Sequence, residues 1–107
     1  FLFDTKRVNV LGEYGGIGLP VENHLWWNKR NWGYVQFKNS DEVTAEYVKY
    51  ANILKDYVKR GFSAAVYTQT TDVEGEVNGL MTYDRKVIKI DEAAVKKANQ
   101  SVINELK

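Results

Sequence analysis

Cysteine is missing from all 107 residues. Neither a disulfide framework nor a thiolate zinc site can therefore be built, although the compartment stays open. Histidine occurs once, as His24, and with no second histidine or cysteine to join it no metal is expected. A run of about 18 apolar residues is also missing, which leaves no candidate for a membrane-spanning helix. Neither sign of charge dominates: 15 basic and 14 acidic side chains leave a net charge of +1, too little for a field that gathers nucleic acid or acidic lipid. A neutral partner or none is expected instead, with no nucleic acid and no membrane. The opening FLFDTKRVNV has neither an initiator methionine nor a basic-then-apolar signal pattern, and it reads as the interior of a longer chain.

Aromatic residues are plentiful: three Trp, seven Tyr and four Phe. Trp26, Trp27, Trp32 and Tyr34 crowd together beside Asn and His without helical or strand spacing. Flat rings next to amides and carboxylates suit sugars, whose C–H faces stack while their hydroxyls need directional partners. The same rings can also simply fill a core.

Val8, Val10 and Leu11 predict a short buried strand over residues 7–11, ending at Gly12-Glu13. A polar and aromatic loop follows to about Lys38, punctuated by Gly15, Gly16, Gly18 and Pro20. Loops of that length in a compact domain are usually functional. Asn39 or Ser40 can cap the next helix, with Glu42 in a capping box and an apolar stripe through Val43, Tyr47, Tyr50, Ala51, Leu54, Tyr57 and Val58. Lys59, Arg60 and Gly61 supply its basic last turn and its stop. FSAAVYT, residues 62–68, predicts a strand buried on both sides. After a second polar, glycine-punctuated stretch, VIKI at 87–90 leads to a helix capped by Asp91 with a stripe through Val95, Ala98, Val102 and Leu106. Alternating strands and helices imply an α/β fold with parallel pairing. Two such strands leave both sheet edges open, so something else must complete the sheet.

Several residues are candidates for chemistry. Glu13, at the end of the first strand and before a glycine-rich loop, stands where barrel enzymes place catalytic groups; a solvated loop carboxylate is the plain alternative. Asp72, Glu74, Glu76 and Asn78 follow the second strand on the same end of the sheet. They can bind sugar hydroxyls, bind a hard cation or face solvent, and their spacing fails the EF-hand pattern. His24 is expected to hydrogen-bond a sugar or the backbone. A serine triad could draw on Ser40, Ser63 or Ser101, but Ser40 reads as a cap and Ser101 as an exposed helix residue, so nucleophilic serine chemistry is not expected.

The stretches VNVLGEYGGIGLPVENHLWW, NWGY and AAVYTQTTDVEGEVNGLMTYDRKVIKID together resemble the last part of the catalytic barrel of glycoside hydrolase family 2, the β-galactosidase and β-glucuronidase group. The resemblance implies the C-terminal strand-helix-strand-helix portion of a (β/α)8 TIM barrel, not a complete barrel. Strand seven would be residues 8–12, helix seven 43–60, strand eight 63–68 and helix eight 91–106. It implies that Glu13 is the nucleophile of a retaining β-glycosidase and that Tyr14 is its Glu-Tyr neighbour. Tyr67 would fall where many relatives carry a tryptophan at the floor of the sugar site. Trp26, Trp27, Gln69, Asp72, Glu74 and Asn78 would lie around the mouth, where with His24 they are expected to contact the substrate, and no cofactor is expected. A bacterial parent, periplasmic or secreted, is also implied.

Retaining glycosidases use two carboxyl groups roughly 5 to 5.5 Å apart. In this family the acid/base is the glutamate of an Asn-Glu pair after strand four, yet no such pair precedes Glu13, and Asn104-Glu105 lies in the last helix. A whole barrel takes about 250 residues. The expectation is therefore a barrel piece that needs the rest of its parent chain, is inactive alone and self-associates through its open edges. The alternatives are a non-catalytic carbohydrate-binding module that keeps the aromatic loop, and a proteolytic remnant that folds by self-association.

Overall fold

The computed structural model describes residues 5–105; Leu106, expected in the last helical stripe, lies outside them. Among the described residues the chain is a small mixed α/β domain with two helices and short parallel strands, and the strands do not close into a barrel. The order is β1 (Asn9–Gly15), β2 (Ile17–Gly18), β3 (Val35–Gln36), α1 (Ser40–Lys59), β4 (Phe62–Thr68) and α2 (Glu92–Asn104). β1 and β4 form one parallel pair, β2 and β3 another. Parallel strands need a crossover, and α1 supplies it between β1 and β4.

The first strand corrects the expected 7–11. It starts later and runs on through Glu13 to Gly15, because β4 stays beside it: Glu13 pairs with Val66, Tyr14 with Tyr67 and Gly15 with Thr68. Gly12 does not end the strand. It is the extra residue of a bulge, since the register steps from Leu11 opposite Ala65 to Glu13 opposite Val66, and a bulge re-aims the side chains after it.

α1 begins where its cap allows. The Asn39 side chain accepts from the Glu42 backbone N–H at 2.9 Å, while Glu42 Oε2 accepts from the Lys38 N–H at 3.3 Å. Ser40 is not the cap; its hydroxyl donates to the Lys89 carbonyl at 2.5 Å. At the far end Gly61, with φ +108°, donates to the Val58 carbonyl, a left-handed stop that glycine adopts without penalty. Asp91 caps α2 by accepting from the Ala94 N–H. The two helices meet where the Tyr47 hydroxyl donates to Asn99 Oδ1 at 2.6 Å.

The core joins Ile17 and Leu19 from the first loop, Val43 and Tyr47 from α1, and Val95 from α2. Phe37, Tyr50, Tyr67, Leu80 and Ile90 pack around them. It occupies the helix side of the sheet only. Ser63, Ala64, Ala65 and Val66 of β4 are exposed, contrary to the expectation of a strand buried on both sides. Two strands and two helices make a single covered face.

The long loop after β1 is more ordered than its composition predicts. Gly16 and Gly18 carbonyls accept from the Val35 and Phe37 N–H groups, which makes β2 and β3. The loop is then strapped to the second polar stretch: Leu19 donates to the Val77 carbonyl, Trp32 to Gly75, and Val77 back to Trp32. Buried backbone needs partners, and the two loops supply each other's. VIKI is held by the Lys89 N–H donating to the Leu80 carbonyl and a bridge between Met81 and Ile88, without forming a strand.

Candidate active site

Because β1 and β4 are parallel, their C-terminal ends lie side by side, joined by the Gly16 N–H donating to the Thr68 carbonyl at 2.8 Å. A cleft of about 240 Å³ opens there, lined by Glu13, Tyr14, Gly15, Gly16, Tyr34 and Thr68. Glu13 is exposed. Its neighbour Tyr14 packs edge-on against Tyr50 of α1, with ring centroids 6.5 Å apart. Successive side chains leave a strand on opposite faces, so Glu13 points away from the helices, toward the uncovered side.

The floor of the cleft depends on Gly16. It has φ +69°, and a Cβ there would sit 2.7 Å from the Tyr34 ring; any other residue would push that ring away. Tyr34, which the sequence groups with the aromatic cluster but not with the residues expected at the site, is brought here by the fold. The hint was Gly33 before it, which marks a close approach to Gly18.

Tyr67 is not at the floor of this cleft. Its ring lies between Tyr14, at 5.3 Å, and Tyr47, at 5.0 Å, on the helix side. Burial, and then the nearby Tyr47, pushes the Tyr14 hydroxyl up to about 12. The Tyr67 hydroxyl is pushed up further, mainly by burial and then by the surrounding tyrosines. Both phenols stay neutral at physiological pH.

The carboxylates of the second loop do not act together. Asp72 is buried in an ion pair with Lys89, whose Nζ donates to Asp72 Oδ1 at 2.7 Å and to the Val77 carbonyl at 3.1 Å. The same Oδ1 accepts from the Gly79 N–H at 2.8 Å. Gly79 has to be glycine, because a Cβ there would collide with the Thr71 and Asp72 backbone. Burial pushes the Asp72 carboxyl up and the Lys89 ammonium down, and each opposes the other's shift. Glu74 is exposed at a turn with φ +50°, closed by paired bonds between Val73 and Glu76. Asn78 is buried: its Oδ1 accepts from the Tyr34 N–H at 3.3 Å and its Nδ2 donates to Glu76 Oε1 at 3.2 Å. Asn78 therefore reaches the cleft only through Tyr34. Gln69 holds the loop by its backbone, donating to Asn78 and accepting from Leu80.

His24, Trp26 and Trp27 lie on the first loop, apart from Glu13. His24 pairs with Asp84 at 2.8 Å across 60 positions of sequence. An ionised carboxylate only accepts, so His24 Nδ1 carries the proton. Asp84 also accepts from the Thr82 hydroxyl at 2.6 Å and the Lys86 N–H at 3.1 Å. The Thr82 bond first and the His24 bond second hold its carboxyl down to about 2. A depressed carboxyl stabilises the fold above its unfolded value and loses that contribution as pH falls through the folded one. Asp84→Asn should therefore flatten the loss of stability between about pH 4 and about pH 2, read as urea midpoints. Equal slopes for the two proteins would show that the carboxylate does not hold these loops. Asp84 escaped the sequence reading because only the fold brings it to the single histidine.

Among the described residues no group of three or more His, Asp or Glu side chains can hold a metal ion, and no helix is long and apolar enough to cross a membrane. Fold and cleft together define a parallel strand-helix-strand unit with an exposed carboxylate at the joined ends of its strands. Compared with known proteins, the chain matches no protein-family model and no curated relative.

Proposed function

We propose that this chain is the C-terminal portion of the catalytic barrel of a retaining β-glycosidase and that Glu13 is its nucleophile. The observation that carries the reading is the place of Glu13, third from the end of a parallel strand and exposed in a glycine-floored cleft between two strand ends. Barrel enzymes gather their catalytic groups at that end of the strands. The resemblance of GEYGG and TQTTDVEGEVNG to glycoside hydrolase family 2 supports the same role. So does the uncovered sheet face: Val10 and Val66 are 53% and 54% exposed, whereas parallel sheets are ordinarily covered on both sides.

In the completed barrel Glu13 would attack the anomeric carbon as the glycosidic C–O bond breaks, and the leaving oxygen would take its proton from a second carboxyl group. That group would then deprotonate the water that releases the sugar from Glu13. The second carboxyl would come from the remaining barrel strands, so the chain by itself would not hydrolyse glycosides. Combining it with a barrel portion that carries strands one to six tests the reading. Hydrolysis of an aryl β-glycoside is expected, and failure with several sugars in every folded preparation would overturn it.

The same uncovered face leads to a prediction for the isolated chain. Among the described residues the sheet stops at β1 on one side and β4 on the other, and exposed strand edges template pairing with further chains. Light scattering at micromolar concentration should give a dimeric or larger mass. A monomer mass would show that the loops and helices protect the edges.

A further inference from the structure

Asn78 and Gly79 form the only Asn-Gly pair in the sequence. Glycine has no Cβ to shield its backbone nitrogen, so in an open chain that nitrogen attacks the preceding asparagine side chain more readily than a bulkier neighbour's would. The fold demands both residues. A Cβ on Gly79 would collide with Thr71 and Asp72, and Asn78 Oδ1 accepts from the Tyr34 N–H at 3.3 Å. We propose that Asn78-Gly79 is a latent self-modification site, a deamidation switch that the Asp72–Lys89 ion pair restrains and that, once it has reacted, keeps the second loop from closing again behind Tyr34. The inference does not depend on the role of Glu13.

The reaction needs no co-reactant but water. The Gly79 nitrogen gives up its proton and bonds to Asn78 Cγ. The Cγ–Nδ2 bond breaks, Nδ2 takes up a proton and leaves as ammonia, and a cyclic succinimide remains. Water then adds either to the Cγ carbonyl, which restores the backbone as aspartate, or to the Asn78 backbone carbonyl, which leaves the backbone running through the side chain as isoaspartate. Water enters, ammonia leaves, and a neutral amide has become a carboxylate.

The closed loop blocks each step. The Gly79 N–H donates to Asp72 Oδ1 at 2.8 Å, and the charge of that carboxylate opposes loss of the proton. Lys89 Nζ holds the same oxygen in place at 2.7 Å. The Asn78 carbonyl accepts from the Gln69 N–H at 3.3 Å and its Nδ2 donates to Glu76 Oε1 at 3.2 Å, so neither backbone nor amide turns freely toward attack. Asn78 is 0% exposed, which keeps water away. Deamidation therefore proceeds from the opened loop, at a rate set by how often it opens. The closed loop then refuses the product. A carboxylate at position 78 would be buried against Glu76 Oε1, two like charges at hydrogen-bond distance. The extra backbone methylene of isoaspartate has no clearance beside Gly79.

The test incubates the whole chain in mildly alkaline buffer and then follows, by mass spectrometry, the tryptic peptide over residues 61–85, in which Asn78 is the only asparagine. Conversion to aspartate and isoaspartate should be at least about a hundredfold slower in the folded chain than in urea-unfolded chain. Lys89→Met should speed it by about tenfold or more, and Asp72→Asn combined with Lys89→Met should slow it again. In the unaltered chain conversion should begin to rise at urea concentrations below those at which circular dichroism shows unfolding, a result that does not require Lys89→Met to fold. Asn78→Asp should lower the urea midpoint, and Glu76→Gln added to it should recover part of the loss. Equal rates in folded and unfolded chain, a rate that rises only with global unfolding, a folded Lys89→Met chain that deamidates no faster than its parent, or an Asn78→Asp chain as stable as its parent would each overturn the proposal.

Discussion

On the proposed function, Glu13→Gln is expected to abolish glycoside hydrolysis when the chain is combined with a barrel portion carrying strands one to six, with a loss on the order of 10^4 to 10^6 in kcat. The amide keeps the size and hydrogen-bonding reach of the carboxylate but has no lone pair basic enough to form the glycosyl ester. Binding should survive, because the cleft floor is built by Gly16 and Tyr34 rather than by the charge. Loss of turnover with retained affinity for an inhibitor is therefore the signature. Glu13→Ala adds a sharper test, since it opens the space from which the carboxylate attacks. An external anion such as azide, entering there, would attack the anomeric carbon from the face opposite the departing group and give a glycosyl azide of inverted configuration. Recovery of that product identifies Glu13 as the attacking group. A Glu13→Gln enzyme that still turns over within about tenfold of the parent would reject the assignment.

The second large effect concerns Lys89. Its ammonium is fully buried against Asp72 Oδ1, and it also donates to the Val77 carbonyl that receives the Leu19 N–H. Asp72 Oδ2 makes no hydrogen bond among the described residues, so without Lys89 the carboxylate would be buried with only the Gly79 N–H to compensate it. Lys89→Met is expected to cost about 3 to 5 kcal/mol, the usual penalty of an orphaned buried charge, measured by urea unfolding. Asp72→Asn combined with Lys89→Met should restore much of the loss, because asparagine still accepts from Gly79 and carries no charge. A double variant as unstable as the single one would show that Lys89 acts by packing its methylenes rather than by neutralising Asp72.

The loss in Lys89→Met should also reach the Glu13 cleft. Val77, Asn78 and Gly79 adjoin the ion pair, and Asn78 holds the Tyr34 backbone over Gly16. Loosening the second loop therefore loosens the aromatic wall of the first. The residues that the family resemblance places at the sugar, Asp72 and Asn78, act in this chain as supports behind Tyr34. On the proposed function, contact with the sugar in the Glu13 cleft would fall instead to residues that line it, Glu13, Tyr14, Tyr34, Thr68 and the glycines.

Local chemistry alone determined α1, α2 and β4. The helical stripe from Val43 to Val58, the Asn39 and Asp91 caps, the Gly61 stop and the strand FSAAVYT all depend on neighbours within a few positions, so they can be read along the chain. The place of Glu13 at a strand's end was legible for the same reason, as a carboxylate before two glycines. Tertiary structure decided the rest. Parallel pairing with β4 carried β1 past Gly12, and a bulge there aimed Glu13 away from the helices. Lys89, in a run whose alternation says nothing of a partner, found Asp72 17 positions away, and His24 found Asp84 60 away. Such pairs follow from which loops the backbone must strap together to satisfy its hydrogen bonds, and that is a property of the folded chain rather than of any short stretch of it.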